Sequence, residues 1–136
     1  MKKLLLLVIV LFSGSTCASM TSCGEIDHPL INADLQAAQE IGISYEFLED
    51  DAYPGCKVIE VTTATKMGEY EFASFTVQMK KDSVITGEFY PSAIRGEDHL
   101  RTVFLLCESA AKVADTVIHF GDNCHGKSIA LSIAIE

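Results

Sequence analysis

Residues 127–135 read Lys-Ser-Ile-Ala-Leu-Ser-Ile-Ala-Ile, and this stretch decides the fold of the chain. Its large apolar residues, Ile129, Leu131, Ile133 and Ile135, alternate strictly with small ones. Successive side chains of a β-strand point to opposite faces, so a period of two gives a strand with one apolar face. We therefore predict a strand that buries its apolar face, while its small-residue face leaves room for another group to pack closely.

Similar composition recurs upstream, where segments rich in β-branched and aromatic residues are separated by turn residues. Short strands at such intervals are typical of an all-β sandwich or barrel. We predict a mainly β fold, an antiparallel β-sandwich of about seven strands with one short N-terminal helix. The predicted strands are residues 43–48, 57–63, 69–80, 83–90, 100–108, 115–120 and 127–135.

The predicted helix covers residues 33–40. Asn32 precedes it and belongs to the residue types that cap helix N-termini, and Asp34 in the first turn suits the helix dipole. Gly42 follows the predicted end, where glycine commonly terminates a helix.

The sequence predicts a further feature for each of two strands. Residues 100–107 are nearly apolar on both faces, which predicts a central strand covered from both sides. In residues 69–80 the apolar phase slips by one position between Phe72 and Phe75. One extra residue near Ala73 and Ser74 would restore the inward side, so we predict a β-bulge there.

The N-terminus has the pattern of an export signal. Lys2 and Lys3 precede an apolar run, which small residues follow. The run is too short to span a bilayer of about 30 Å, so no transmembrane segment is expected. We predict a signal peptide at residues 1–18 and a single exported β domain, secreted or periplasmic, at residues 19–136. In the alternative reading the signal is a lipoprotein signal, residues 1–22, and Cys23 carries a lipid anchor.

Cleavage after Ala18 leaves an even number of cysteines, which suits pairing in an oxidising compartment. If consecutive strands alternate in direction, Cys56 and Cys107 fall at one end of the sandwich. Cys23 and Cys124 then fall at the other end. Because a disulfide needs Cα atoms within about 7 Å, we predict the pairs Cys56–Cys107 and Cys23–Cys124.

The formal net charge of −9 at pH 7 argues against several classes of partner. Nucleic acids and anionic membranes attract basic surfaces, whereas this chain has 19 acidic residues against 10 Lys and Arg. Loss of Lys2 and Lys3 with the signal would make the balance more acidic. We therefore expect no nucleic-acid partner.

The alternation of strand directions also gathers chemically versatile side chains at the end of the sandwich that holds Cys124. Loops on a rigid scaffold commonly carry binding groups. No Gly-x-Ser-x-Gly turn or phosphate-binding loop occurs in the sequence, so we nominate no catalytic residue and no cofactor. The sequence favours a non-enzymatic binding module for a protein or a carbohydrate, such as a secreted inhibitor or effector. The predicted binding residues are Tyr90, Arg95, Glu97, Asp98, His99, Asp122, Asn123 and His125.

Two other functions stay open. Imidazole and carboxylate groups are ligands of zinc and copper, so His99, His119, Asp122 and His125 could form a metal carrier or a small metal-dependent enzyme. Alternatively the chain is a structural subunit that assembles through exposed strand edges.

The two signal readings predict different masses for the mature protein. Cleavage after Ala18 should give the unmodified mass of residues 19–136, measured by intact mass spectrometry of protein purified from an exporting host. Acyl chains would add to the mass if Cys23 carries lipid, and Cys23→Ser would then abolish that increment. An acylated product in the wild type would contradict the preferred cleavage site.

Overall fold

Buried and exposed side chains alternate along most strands of the computed structural model, which describes residues 23–135. These strands form two sheets that pack face to face, so the predicted mainly β sandwich is confirmed. Both readings of the signal, residues 1–18 and residues 1–22, lie outside the described residues. In the described part of the chain, no helix has the length and apolar character that a membrane crossing needs.

Residues 23–135 contain ten strands and one helix rather than seven strands. Three of the strands, β1, β4 and β7, were not predicted, because two or three residues are too few to show a period. The elements are β1 (Leu30–Asn32), α1 (Leu35–Glu40), β2 (Ser44–Leu48), β3 (Cys56–Ala64), β4 (Lys66–Met67), β5 (Tyr70–Lys81), β6 (Val84–Phe89), β7 (Ile94–Arg95), β8 (His99–Cys107), β9 (Val113–Gly121) and β10 (Gly126–Ala134).

The larger sheet has six strands in the order β1-β10-β9-β5-β4, and β6 also pairs with β5. The smaller sheet has four strands in the order β2-β3-β8-β7. Neighbouring strands are antiparallel except β1, which runs parallel to β10. The antiparallel alternation on which the sequence argument depends is therefore present, and β1 is an unpredicted parallel addition.

The core lies between the sheets. Strand β10 buries Ile129, Leu131 and Ile133, as its period of two predicts. Phe104 of the smaller sheet packs against aromatic rings of the larger sheet, with ring centroids 6.3 Å from Phe75 and 5.8 Å from Phe89. Burying side chains of this size supplies the main favourable free energy of folding.

Two disulfides join the pairs that the sequence predicts. Cys56 and Cys107 are facing residues of β3 and β8, and Cys23 is joined to Cys124, with Cα atoms 5.4 Å apart. The first bond cross-links two neighbouring strands of the smaller sheet. The second fastens the N-terminal segment to the turn between β9 and β10.

The N-terminal segment follows β10 beyond the short strand β1. Backbone bonds run from the Asp27 N–H to the Cys124 carbonyl (2.9 Å) and from the Ser128 N–H to the Pro29 carbonyl (2.9 Å). The Ala33 N–H donates to the Ala130 carbonyl, also at 2.9 Å. These bonds, rather than any local sequence period, hold residues 27–33 in place.

Helix α1 is shorter than predicted and has a different N-cap. The side chain of Asp34 accepts a hydrogen bond from the Ala37 N–H at 2.8 Å, whereas Asn32 belongs to β1. Asp and Asn are equally good caps, so the end of β1 decides which of the two residues caps the helix. The predicted termination at Gly42 is confirmed, since Gly42 has φ +82° and its N–H donates to the Gln39 carbonyl.

Strand β8 is not the doubly covered strand that its composition predicts. Its residues alternate between buried and exposed, and Arg101, Val103 and Leu105 face away from the core. An apolar outward face resembles a buried one in sequence, which explains the error. The predicted β-bulge is confirmed, because the register of β5 against β9 shifts between Phe72 and Ser74.

Removal of the Cys56–Cys107 bond should destabilise the protein strongly. The two residues are 51 positions apart, and opening a loop of that length costs about 4 kcal/mol on the chain-entropy model. We expect the C56A/C107A variant to lose about that much unfolding free energy in urea denaturation, with Cys23–Cys124 retained. A loss below about 1 kcal/mol would contradict a stabilising role for this bond.

Candidate functional site

A polar groove with a volume of about 410 Å³ lies on the larger sheet, on the face turned away from the smaller sheet. Of the predicted binding residues it contains Tyr90, Asp122 and Asn123, and it also contains His119. We call this cavity the β9 groove. Its lining residues are His28, Ala73, Ser74, Thr76, Tyr90, His119, Gly121, Asp122 and Asn123.

The floor of the β9 groove is formed by neighbouring strands. Strand β9 buries Ile118 and Phe120, which turns His119 to the outer face. Ser74 of β5 is paired with His119, and Thr76 follows on the same face. The bulge between Phe72 and Ser74 sets this phase, so it decides that hydroxyl groups face outward here.

A rigid turn closes one end of the groove. Oδ1 of Asp122 accepts hydrogen bonds from the backbone N–H groups of Cys124 and His125, both at 2.7 Å. Both bonds lower the pKa of Asp122, and the bond from His125 has the larger effect. Gly121 has φ +100°, and a Cβ there would collide with the backbone of His125. Residues 121–125 therefore form a tight turn, and the Asp122 carboxylate is engaged within it.

His119 lies half-buried in the floor. Its Nδ1 is 2.7 Å from Oγ of Ser128, the facing residue on β10. Burial is the main cause that lowers the pKa of His119, and the charge of His28 adds to it. The two imidazole rings stack with centroids 6.2 Å apart. His119 is therefore neutral at pH 7. Because Ser128 is buried, the Ser128 hydroxyl positions the His119 ring and does not face a ligand.

Tyr90 stands at the rim, with 69% of its surface exposed. Its hydroxyl donates to Oε1 of Glu88 at 2.7 Å, and Oε2 of Glu88 accepts from Nε2 of Gln78 at 2.6 Å. The hydrogen bond to Glu88 raises the pKa of Tyr90. This chain of hydrogen bonds orients the phenol ring while leaving its face open to solvent.

The other predicted binding residues lie elsewhere. Arg95 and His99 flank the short turn between β7 and β8, on the smaller sheet, and the Gly96 N–H closes that turn on the His99 carbonyl at 2.8 Å. Within residues 23–135, no hydrogen bond or ion pair joins residues 95–99 to residues 122–125. Strand direction predicts which end of the sandwich a loop occupies, but not which sheet it borders. Glu97, Asp98 and the exposed His125 likewise do not line the β9 groove.

The predicted metal ligands do not form a metal centre. No group of three or more His, Cys, Asp and Glu side chains in the described part of the chain is arranged to hold a metal ion. His99 begins β8 on the smaller sheet, whereas His119 lies on the larger one. Oδ1 of Asp122 accepts hydrogen bonds within the turn, and His125 bonds to it through its backbone N–H, not through its imidazole. The structure therefore does not bring His99, His119, Asp122 and His125 together around one position.

Three groove residues with polar side chains, His28, Ser74 and Thr76, were missed by the sequence analysis. His28 reaches the groove only because the N-terminal segment runs beside β10, and the ring Nε2 lies 3.4 Å from the Phe120 carbonyl. No local period signals such a long-range contact. Ser74 and Thr76, by contrast, are the polar positions between the buried Phe75 and Val77, so the predicted bulge could have identified them.

The buried state of His119 predicts a dependence of stability on pH. Its folded pKa lies below the ordinary value of 6.5, so between the two values the unfolded chain binds a proton that the folded chain does not. The contribution of His119 to the free energy of unfolding is therefore complete above the unfolded pKa, and it declines as pH falls below that value. We expect His119→Gln to lose less unfolding free energy than the wild type between about pH 7.5 and about pH 5.5 in urea denaturation. His125→Gln, at an exposed position, should behave as the wild type; equal acid sensitivity of all three proteins would contradict the assignment.

The chain was also compared with known proteins. No protein-family model, curated protein or solved structure matches it.

Proposed function

We propose that this protein is an exported, non-enzymatic binding module that recognises a protein or a carbohydrate through the β9 groove. The observation that carries the proposal is the convergence of Tyr90, Asp122 and Asn123 with His28 and His119 around one polar cavity. These side chains come from the N-terminal segment, from the residue after β6, from β9 and from the turn that follows β9.

The rigidity of the groove supports a binding role. The turn that bears Asp122 and Asn123 is held by hydrogen bonds to the Asp122 carboxylate and by the disulfide from Cys124 to Cys23. Groups fixed before a ligand arrives lose little conformational entropy on binding. A pre-formed cavity of this kind is the usual form of a small recognition site.

The chemistry of the lining favours an uncharged, polar ligand. Among the described residues, neither Lys nor Arg lines the groove, and Asp122 already uses its carboxylate in the turn. What remains for a ligand are the hydroxyls of Ser74 and Thr76, the amide of Asn123 and the open ring face of Tyr90. Hydroxyl groups of a sugar, or backbone groups of a peptide, suit such donors and acceptors.

A second cavity extends the same outer face. It measures about 520 Å³, and it lies beside α1 and the small-residue side of β10, which the sequence predicts to allow close packing. Val117 of β9 borders this cavity, two residues from His119, which lines the β9 groove. The two cavities together suit an elongated ligand such as an oligosaccharide or an extended peptide.

Two observations support export of the protein. The N-terminal sequence has the features of a signal peptide, and the described chain contains two disulfides. Disulfides form and persist in oxidising compartments such as the periplasm and the extracellular space.

Binding can be tested with a matched pair of tyrosine variants. The mature protein would be screened on glycan arrays and against secreted proteins, and ligands that bind would be titrated by calorimetry. Tyr90→Ala should weaken binding about tenfold or more, because aromatic residues are frequent binding hot spots. Tyr53→Ala, which removes a tyrosine that is 47% exposed and does not line the groove, is the control. Equal affinities of both variants and the wild type would place the binding site elsewhere.

A further inference from the structure

The two cavities on the outer face of the larger sheet follow one another along β9. The β9 groove borders this strand at His119 and Gly121, and the second cavity borders it at Asp115 and Val117. Residues 115–121 of an extended strand cover about 20 Å. The two cavities together therefore provide an elongated site along the strand direction, and we call this site the outer trough.

The acidic residues of the outer trough are already bonded within the chain. Asp115 pairs with Lys80 and accepts a hydrogen bond from the hydroxyl of Ser132. Asp34 accepts a backbone N–H bond as the cap of α1, and Asp122 accepts two within its turn. Among the described residues, no Lys or Arg side chain lines either cavity. An anionic ligand would therefore find no counter-charge in the lining.

Uncharged polar groups remain to meet a ligand along the outer trough. The hydroxyls of Ser74 and Thr76 and the amide of Asn123 line the β9 groove, and the amide of Asn32 lines the second cavity. Hydroxyl and amide groups both donate and accept hydrogen bonds. The hydroxyls of a sugar also do both, so these groups can pair with a neutral sugar and leave no charge without a partner.

Apolar surface accompanies these polar groups. Val117 and Ala130 line the second cavity, and both have small side chains that let a ligand approach the sheet closely. At the rim of the β9 groove, Tyr90 presents an open ring face, with its hydroxyl held by Glu88. A pyranose ring is amphipathic in a matching way, because its C–H groups form its faces and its hydroxyls form its edge.

The backbone under the outer trough is not free to bind an extended peptide as an added strand. Such peptides usually pair with an open sheet edge, where backbone hydrogen bonds supply affinity. Strand β9 is paired with β10 on one side and with β5 on the other, from residue 113 to residue 120. Recognition over this floor therefore depends on side chains, which favours a sugar over an extended peptide.

We propose that the outer trough binds a linear, neutral oligosaccharide, with one part of the sugar chain in the β9 groove and the next part in the second cavity. This inference rests on the proposed function, because it names the ligand class of that same site. One sugar ring stacks on Tyr90, and another lies over Val117 and Ala130. The amides of Asn123 and Asn32 bond to ring hydroxyls in the two cavities.

Calorimetric titration of the mature, oxidised protein tests this ligand class. The probes are cellohexaose, mannohexaose and chitohexaose, each compared with its disaccharide, and hexagalacturonate as an anionic counterpart. One neutral hexasaccharide should bind about tenfold more tightly than its disaccharide, because only the longer chain reaches both cavities. Hexagalacturonate should not bind. An affinity that does not depend on chain length, or equal binding of hexagalacturonate, would overturn the proposal.

Variants of the second cavity show whether the sugar chain reaches it. Ala130→Phe fills this cavity and should lower the affinity for the hexasaccharide to about that for the disaccharide. Asn32→Ala removes an exposed amide without adding volume, and it should also weaken binding of the hexasaccharide. Ala134→Phe is the matched control, because Ala134 lies on the same face of β10 but lines neither cavity. Wild-type affinity in both cavity variants would contradict the proposal.

The ligand class and the binding site fail in different ways. A displayed library of short peptides would be screened beside the sugars, with Tyr90→Ala as the reporter of the β9 groove. A peptide whose binding depends on Tyr90, with no sugar bound, would refute the oligosaccharide and support the groove as a binding site. If no sugar or peptide binds in a way that depends on Tyr90, the proposed function fails, and this inference fails with it.

Discussion

The antiparallel pairing of β9 with β10 is the constraint on which the rest of the molecule depends. Nine residue pairs connect the two strands, from Gly126 opposite Gly121 to Ala134 opposite Val113. One face of this ladder supplies much of the core. On the other face the same register sets Ser128 against His119, so a shift of one position would expose the core residues and bury the groove.

The N-terminal segment makes the groove depend on oxidation. His28 enters the groove because residues 27–33 follow the free edge of β10, and Cys23–Cys124 fastens the start of that segment to the turn that carries Asp122. Without that bond, backbone hydrogen bonds to residues 124–130 alone would have to hold the segment against its conformational entropy. The disulfide therefore links the compartment in which the protein folds to the completeness of its candidate site.

The sequence predicts those features that arise from a long local pattern. The period of two in residues 127–135, the phase slip before Phe75 and the four cysteines that follow the predicted cleavage site lead to β10, the bulge and both disulfides. What it misses arises from long-range placement. Strand β1 has three residues and forms because β10 has a free edge. Arg95 lies on the smaller sheet because β7 pairs with β8. The exposure of Val103 and Leu105 likewise depends on the outer face of the smaller sheet being open to solvent, which no local period records.

The two sheets differ in the side chains that their outer faces present to solvent. The larger sheet presents hydroxyls, imidazoles and small side chains outward, with β1 and the disulfide at one edge and β4 and β6 along the other. The smaller sheet presents Val103 and Leu105 outward beside an edge that β7 covers only in part. An acidic surface limits uncontrolled association through such an edge, because each added chain brings more negative charge.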